Sequence, residues 1–123
     1  MIERKQVDHL HSDCIFCEIH NGNIKSDIVH SDHQCFVIKD MSPQSPIHLL
    51  IISTAHIAHL ESPGDKLLAN VGHMVAVATE MASTFGIDRS GYRMVINQGK
   101  DANQTIEHLH IHLLGGHQLG PAA

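Results

Sequence analysis

Apolar and polar residues alternate over several short stretches of this chain and fall at helical spacing in one long stretch. Residues 1–13 are polar without periodicity and read as a flexible N-terminal lead-in. After Cys14-Ile-Phe-Cys-Glu-Ile-His20 comes a loop marked by Asn21-Gly22-Asn23. Residues 28–30 and 35–39 are short β-type runs, and the Ser31-Asp32-His33-Gln34 between them is hairpin chemistry. Pro43 and Pro46 fix a loop over residues 41–46, and residues 48–52 form a near-continuous apolar run suited to a strand covered on both faces. Residues 66–85 carry the helical pattern: Leu67, Leu68, Val71, Met74, Val75, Ala78, Met81, Ala82 and Phe85 recur at three- and four-residue spacing. Asp65 is placed to cap that helix, and Gly86 to end it in a left-handed conformation. Two further strands are predicted over 92–97 and 108–114, joined by a polar loop over 98–105. The order β-β-β-α-β-β lacks the repeated crossovers of a parallel sheet. The fold class is therefore α+β, an antiparallel sheet of about five strands with one long helix against it.

Composition narrows the functions such a domain can have. At 123 residues the chain makes one domain, large enough to bury a core without disulfides. No apolar run approaches the roughly 20 residues of a membrane span, and the charged opening Met1-Ile-Glu-Arg-Lys5 has no apolar stretch behind it, so membrane and export are not expected. Net charge is −5, the basic residues are scattered, and only three Phe and one Tyr are present, so the chain lacks the cationic stripe and stacking platforms of a nucleic-acid binder. A single small nucleotide remains within its means. Three cysteines, an odd number with two in C-x-x-C spacing, suggest reduced thiols in the cytoplasm and not a disulfide scaffold.

Thirteen histidines outnumber the lysines and arginines together, and three of them fall in one pattern. His108-Leu-His-Ile-His-Leu-Leu114 alternates imidazole and aliphatic side chains, which on a strand sets His108, His110 and His112 on one face with Leu109, Ile111 and Leu113 opposite. A row of imidazoles suits metal ligation or phosphate chemistry. Gly115-Gly116 then ends the strand and permits close backbone approach.

This run resembles the His-φ-His-φ-His-φ-φ signature (φ, apolar) of the histidine triad (HIT) family of nucleotide hydrolases and transferases. The resemblance runs from Cys14 to about Leu119 and sets the HIT domain at 14–119, with 120–123 as a tail. Asp40-Met-Ser-Pro-Gln-Ser-Pro-Ile-His48, Gly91-Tyr-Arg-Met-Val-Ile-Asn97 and Leu114-Gly-Gly116 resemble segments of the Hint branch, the purine nucleoside phosphoramidases. The resemblance implies a homodimer with the sheet continued across its interface. It also implies hydrolysis of the P–N bond of adenosine-type 5′-phosphoramidates, with His110 attacking the α-phosphorus and water releasing the nucleoside monophosphate.

His48 and His112 would flank the phosphate in that reaction, and Thr105, where the branch usually carries serine, would contact phosphate oxygens or the leaving amine together with Gln104. Asp40 matches the ribose-binding carboxylate and Asn97 a side chain near the ribose and phosphate. Ile15, Phe16, Ile38, Met41 and Leu50 would wall the base, although Ile38 and Leu50 suit a plain core role as well. Asn103 is placed in the phosphate loop at a position where the branch tends to carry glycine. Glu107 and Lys39 also depart from the branch pattern.

Cys14-x-x-Cys17 alone fits a redox pair or two buried cysteines equally well. The resemblance adds a structural Zn2+ held by Cys14, Cys17, His56 and His108, a closed set of four ligands that catalysis would not require. His9, His11, His20, His30, His33, His59, His73 and His117 match no catalytic position and read as surface or packing residues. Rival functions are a dinucleoside polyphosphate hydrolase, a nucleotide-binding regulatory protein with weak catalysis, and a zinc-storage module suggested by histidine count alone.

Overall fold

The computed structural model describes residues 14–60 and 64–122. The lead-in expected over 1–13 lies outside the described residues. Helix α1 (Ile15–His20) is followed by β1 (Ile28–Ser31), β2 (Cys35–Lys39), β3 (Ile47–Ser53), the long helix α2 (Asp65–Thr84), β4 (Tyr92–Val95), one 3-10 turn (Lys100–Ala102) and β5 (His110–Gly115). The five strands form one antiparallel sheet in the order β1-β2-β3-β5-β4.

Register sorts the sheet residues into two faces. Phe36 stands opposite Ile52, Ile38 opposite Leu50, Leu50 opposite His112 and Ile52 opposite His110. Because side chains alternate along a strand, these residues and His48 share one face. Cys35, Val37, Leu49, Ile51, Ile111 and Leu113 share the other, where they are buried with Met74, Val77, Ala78, Met81 and Ala82 of α2. The first face carries a smaller cluster, in which Phe16 and Ile19 of α1 cover Phe36, Ile38, Leu50 and Ile52. The apolar run of β3 is thus buried on both sides. About 25 cal/mol per Å2 of apolar surface removed from water holds these layers together.

The structure corrects several local expectations. Residues 14–20 contain a second, short helix, so the fold has two α-helices among the described residues. Asp65 is the first residue of α2, not its cap; the capping position is Gly64, with no side-chain hydrogen bond. Leu68 and Val75 do not join the buried stripe but stand 59% and 39% exposed, whereas Val77 is buried in their place. Each lies one position beyond a stripe residue, about 100° around the helix from it. Gly86 does end the helix at φ +75°: its N–H bonds the Ser83 carbonyl and the Ile87 N–H bonds Ala82, which satisfies two carbonyls of the last turn. β4 stops at Val95, and β5 begins at His110, so His108 precedes the strand.

Candidate active site and metal centre

Two groups of side chains meet where β3 and β5 lie side by side on the α1-covered face. His48 lies opposite Leu114 and Leu50 opposite His112, so His48 and His112 are diagonal neighbours. Their rings touch through His48 Nε2 and His112 Nδ1 at 2.9 Å.

The protonation pattern follows from fixed backbone partners. The Gln44 N–H donates to His48 Nδ1 at 3.0 Å, so in the neutral ring the proton sits on Nε2 and is donated to His112 Nδ1. His112 must then carry its own proton on Nε2. His110 is set the opposite way: its Nδ1–H donates to the His108 carbonyl at 2.6 Å, which leaves Nε2 unprotonated. Burial lowers the pKa of His48 and His110, and it lowers that of His112 to about 4, with His110 and His48 adding to the effect. All three rings are therefore neutral at pH 7. The result is one nucleophilic nitrogen beside one N–H donor, the ring centroids of His110 and His112 being 5.0 Å apart.

A cleft of about 490 Å3 opens in front of His48 and His112, lined also by Asp40, Asn97 and Asn103; His110 lies beside His112, buried behind the cleft wall and not part of its lining. Asp40 accepts the Ser42 N–H through Oδ1 at 2.8 Å, and its Oδ2 lies 3.4 Å from His48 Nε2. Asn103 has φ +61°, the one non-glycine residue with positive φ among the described residues. That conformation gives a physical reason for glycine at this position and for asparagine as its substitute.

The other expected site residues are placed apart from this cleft. Thr105, Gln104 and Ile15 line a second cleft of about 460 Å3 together with Cys14 and His56. The Gln104 side chain is engaged by backbone, accepting the Gly99 N–H and donating to the Ala58 carbonyl. Phe16, Ile38 and Leu50 are buried as core, while Met41 is 91% exposed. Phe16 packs edge-on against both His108 and His110, at centroid distances of 5.6 and 4.9 Å.

Behind Phe16 lies the second group. Cys14 occupies the N-cap position of α1 without a side-chain capping hydrogen bond, and Cys17 follows one turn later, so both sulfurs face the same way. His108 Nδ1 is 3.2 Å from Cys14 Sγ, 3.6 Å from Cys17 Sγ and 3.2 Å from His56 Nδ1, and Cys17 Sγ is 3.2 Å from His56 Nδ1. The edges of a tetrahedral N2S2 zinc shell run from about 3.3 to 3.8 Å, so the donor set fits that ion. His108 Nε2–H donates to the Ser53 carbonyl at 2.7 Å, which turns the lone pair of Nδ1 toward the sulfurs, as a metal-ligating histidine requires. Burial, then Cys14, pushes the Cys17 thiol up to about 12.

Backbone groups decide these ring orientations, and side-chain patterns alone do not reveal them. The Gln44 N–H, the Ser53 carbonyl and the His108 carbonyl are such groups; the tight loop between Pro43 and Pro46 is the one sequence hint, for Gln44.

The family model of the HIT domain matches residues 21–119. An uncharacterized HIT-like protein of Chlamydia trachomatis is 46% identical over 112 residues, covering 89% of this chain and 97% of that protein. The crystal structure of a HIT family hydrolase from Legionella pneumophila superposes with a TM-score of 0.83 at 36% identity, covering 87% of this chain and 96% of that one. A Zn-bound histidine triad family protein from Mycobacterium smegmatis superposes with a TM-score of 0.71 at 28% identity, covering 82% of this chain and 73% of that one.

Proposed function

This chain belongs to the HIT domain family, and we propose that it is a purine nucleoside phosphoramidase of the Hint type acting through His110. The observation that carries the reading is the hydrogen-bond pattern from Gln44 through His48 to His112 and from His110 to the His108 carbonyl, which calls for opposed tautomers, Nε2 of His110 unprotonated and Nε2 of His112 protonated. His110 Nε2 attacks the α-phosphorus, an N–P bond forms, and the bond to the amine breaks as the leaving nitrogen takes a proton from solvent, which the water of the second step returns. As the ring gains positive charge, its Nδ1–H bond to the His108 carbonyl strengthens. His112 donates to a phosphate oxygen, and His48 holds the donor in its tautomer. Asp40 takes the ribose hydroxyls, with Asn97 and Asn103 lining the same cleft. Ile15, Phe16, Ile38, Met41 and Leu50 serve the base as rim and underlying support, and Thr105 and Gln104 serve the phosphate loop. Water then cleaves the nucleotidyl-histidine and restores neutral His110.

Cys14, Cys17, His56 and His108 would hold one structural zinc ion. Bound there, it supplies a closed staple between α1 and the entry to β5, with no open position for substrate. The outer edge of β4, unpaired among the described residues, and the exposed Leu68 and Val75 of α2 support a homodimer with a continuous sheet.

The test is turnover of adenosine 5′-phosphoramidate by the full chain, beside diadenosine polyphosphate and the His110→Ala variant. The expected result is phosphoramidate turnover well above polyphosphate turnover, lost in the variant. Equal turnover by a folded His110→Ala protein overturns the reading, and a preference for the polyphosphate moves it to the rival hydrolase.

A further inference from the structure

A third cluster of ligand-type side chains lies on the other side of the sheet, under α2, remote in sequence from the histidine triad. Asp32 stands in the turn between β1 and β2, and its Oδ2 meets His30 Nε2 at 2.7 Å and His73 Nε2 at 2.8 Å. Cys35 Sγ lies 3.8 Å from the same oxygen. Three elements and a turn thus converge on one atom: β1 through His30, β2 through Cys35 and α2 through His73.

The backbone is bent to achieve this. β1 pairs with β2 as Ile28 opposite Ile38, then shifts register so that His30 stands opposite Val37. Regular alternation would place His30 on the same face as Ile28 and Ile38, away from α2. The bulge moves it across to the face of Val37 and Cys35, where His73 comes down from the helix. The carboxylate is fixed as well, because Oδ1 accepts the N–H groups of Gln34 and Cys35 at 2.8 and 3.0 Å. Oδ2 is thereby aimed at the two rings, in the way an outer set of hydrogen bonds orients a metal ligand.

We propose that His30, Asp32, Cys35 and His73 form a second site for a divalent transition ion of the zinc and cobalt class, distinct from the Cys14–Cys17–His56–His108 cluster. The ligand atoms of His30, Asp32 and Cys35 already lie within 4.8 Å of one another; His73 stands outside that set but reaches Asp32 from the helix and would supply the fourth ligand. A tetrahedral N2OS shell has edges of about 3.3–3.6 Å, so the 2.7 and 2.8 Å contacts of Asp32 open by about half an ångström, while the His73 ring swings further to close on the other ligands. Each neutral imidazole presents Nε2 to the ion once its proton sits on Nδ1. Cys35 loses one proton to solvent per ion bound, and carboxylate and thiolate together neutralise the 2+ charge. The side chains of His30, Asp32 and His73 are 25%, 27% and 34% exposed, which gives the ion an entry path to the buried sulfur.

Cobalt(II) tests the site directly, because the chain has three cysteines and only Cys35 belongs to this cluster. In a Cys14→Ser/Cys17→Ser chain, Cys35 is the sole thiol, so any cobalt–thiolate charge-transfer band arises from it. The proposal expects that band with one ion per chain, and at least a tenfold weaker affinity after His30→Gln or His73→Gln. Equilibrium dialysis of the otherwise unaltered chain gives a second readout: the His30→Gln/His73→Gln variant binds one cobalt fewer per chain. If the double-serine chain folds and gives no band, or if dialysis finds the same cobalt content with and without His30 and His73, the proposal fails. The cluster would then be a hydrogen-bonded clip between helix and hairpin only.

Discussion

His108 and His110 stand two residues apart in the run that enters β5, and each is almost fully buried against Phe16. One belongs to a sulfur-rich cluster and the other to a row of imidazoles at a cleft. The difference lies in which nitrogen the backbone claims. The Ser53 carbonyl takes Nε2–H of His108 and turns Nδ1 toward Cys14, Cys17 and His56. The carbonyl of His108 itself takes Nδ1–H of His110 and leaves Nε2 basic. Side chains of one kind thus present different nitrogens through a single hydrogen bond each, as the proposed ligand and nucleophile roles require. The two regions are also joined, since the peptide of the sulfur-cluster histidine sets the tautomer of the other.

The sharpest way to separate them is to truncate each ring. His110→Ala should cost at least about 3–4 kcal/mol of transition-state stabilisation in kcat/KM for adenosine 5′-phosphoramidate, with little loss of folding stability. His108→Ala should instead destabilise the fold by about 2–4 kcal/mol in urea unfolding, because it leaves a cavity and an unpaired Ser53 carbonyl. If His108→Ala removes turnover at unchanged stability, the division of labour is wrong.

The end of β5 probes the frame that both regions share. Gly116 has φ +99°, and a Cβ there would meet Pro46 Cβ at 2.9 Å. Gly116→Ala should cost about 1–3 kcal/mol of stability and, by shifting the loop that carries Gln44, should also slow turnover. Smaller still is His48→Gln, which can donate to His112 but no longer accepts the Gln44 N–H in the same geometry. A loss of about 1–2 kcal/mol in kcat with KM nearly unchanged is expected. An unaltered kcat would remove His48 from the tautomer relay.

The pH dependence reads the same row without a substitution. His112 has its folded pKa lowered from 6.5 to about 4, first by burial. The unfolded chain therefore binds more protons between those values, so this group's stability contribution is present above pH 6.5 and is lost as pH falls toward about 4. Urea midpoints at pH 7 and pH 5 should differ in that direction, and His112→Gln should flatten the difference. A midpoint that rises on acidification would contradict the burial of a neutral ring.

Much of this was legible in the sequence because the signals are local. The strand over residues 35–39, the left-handed Gly86 and the burial of β3 on both faces follow from alternation, helix-end chemistry and a continuous apolar run. The α1 helix was missed because six residues with two cysteines have too little periodicity to register. His30 and His73 read as surface or packing residues because they lie 43 positions apart, and a β-bulge obeys no side-chain pattern.

By itself the sequence determined the α+β class, the family and the identities of the triad, since residue types at fixed spacing carry those directly. Only the tertiary structure decided the tautomers of His48, His108, His110 and His112, the separation of Thr105 from the His112 cleft, and the turning of His30 toward α2. Each of these depends on a backbone N–H, a carbonyl or a register shift contributed by a distant segment. Every residue carries the same backbone groups, so their partners are fixed by folding and not by residue type.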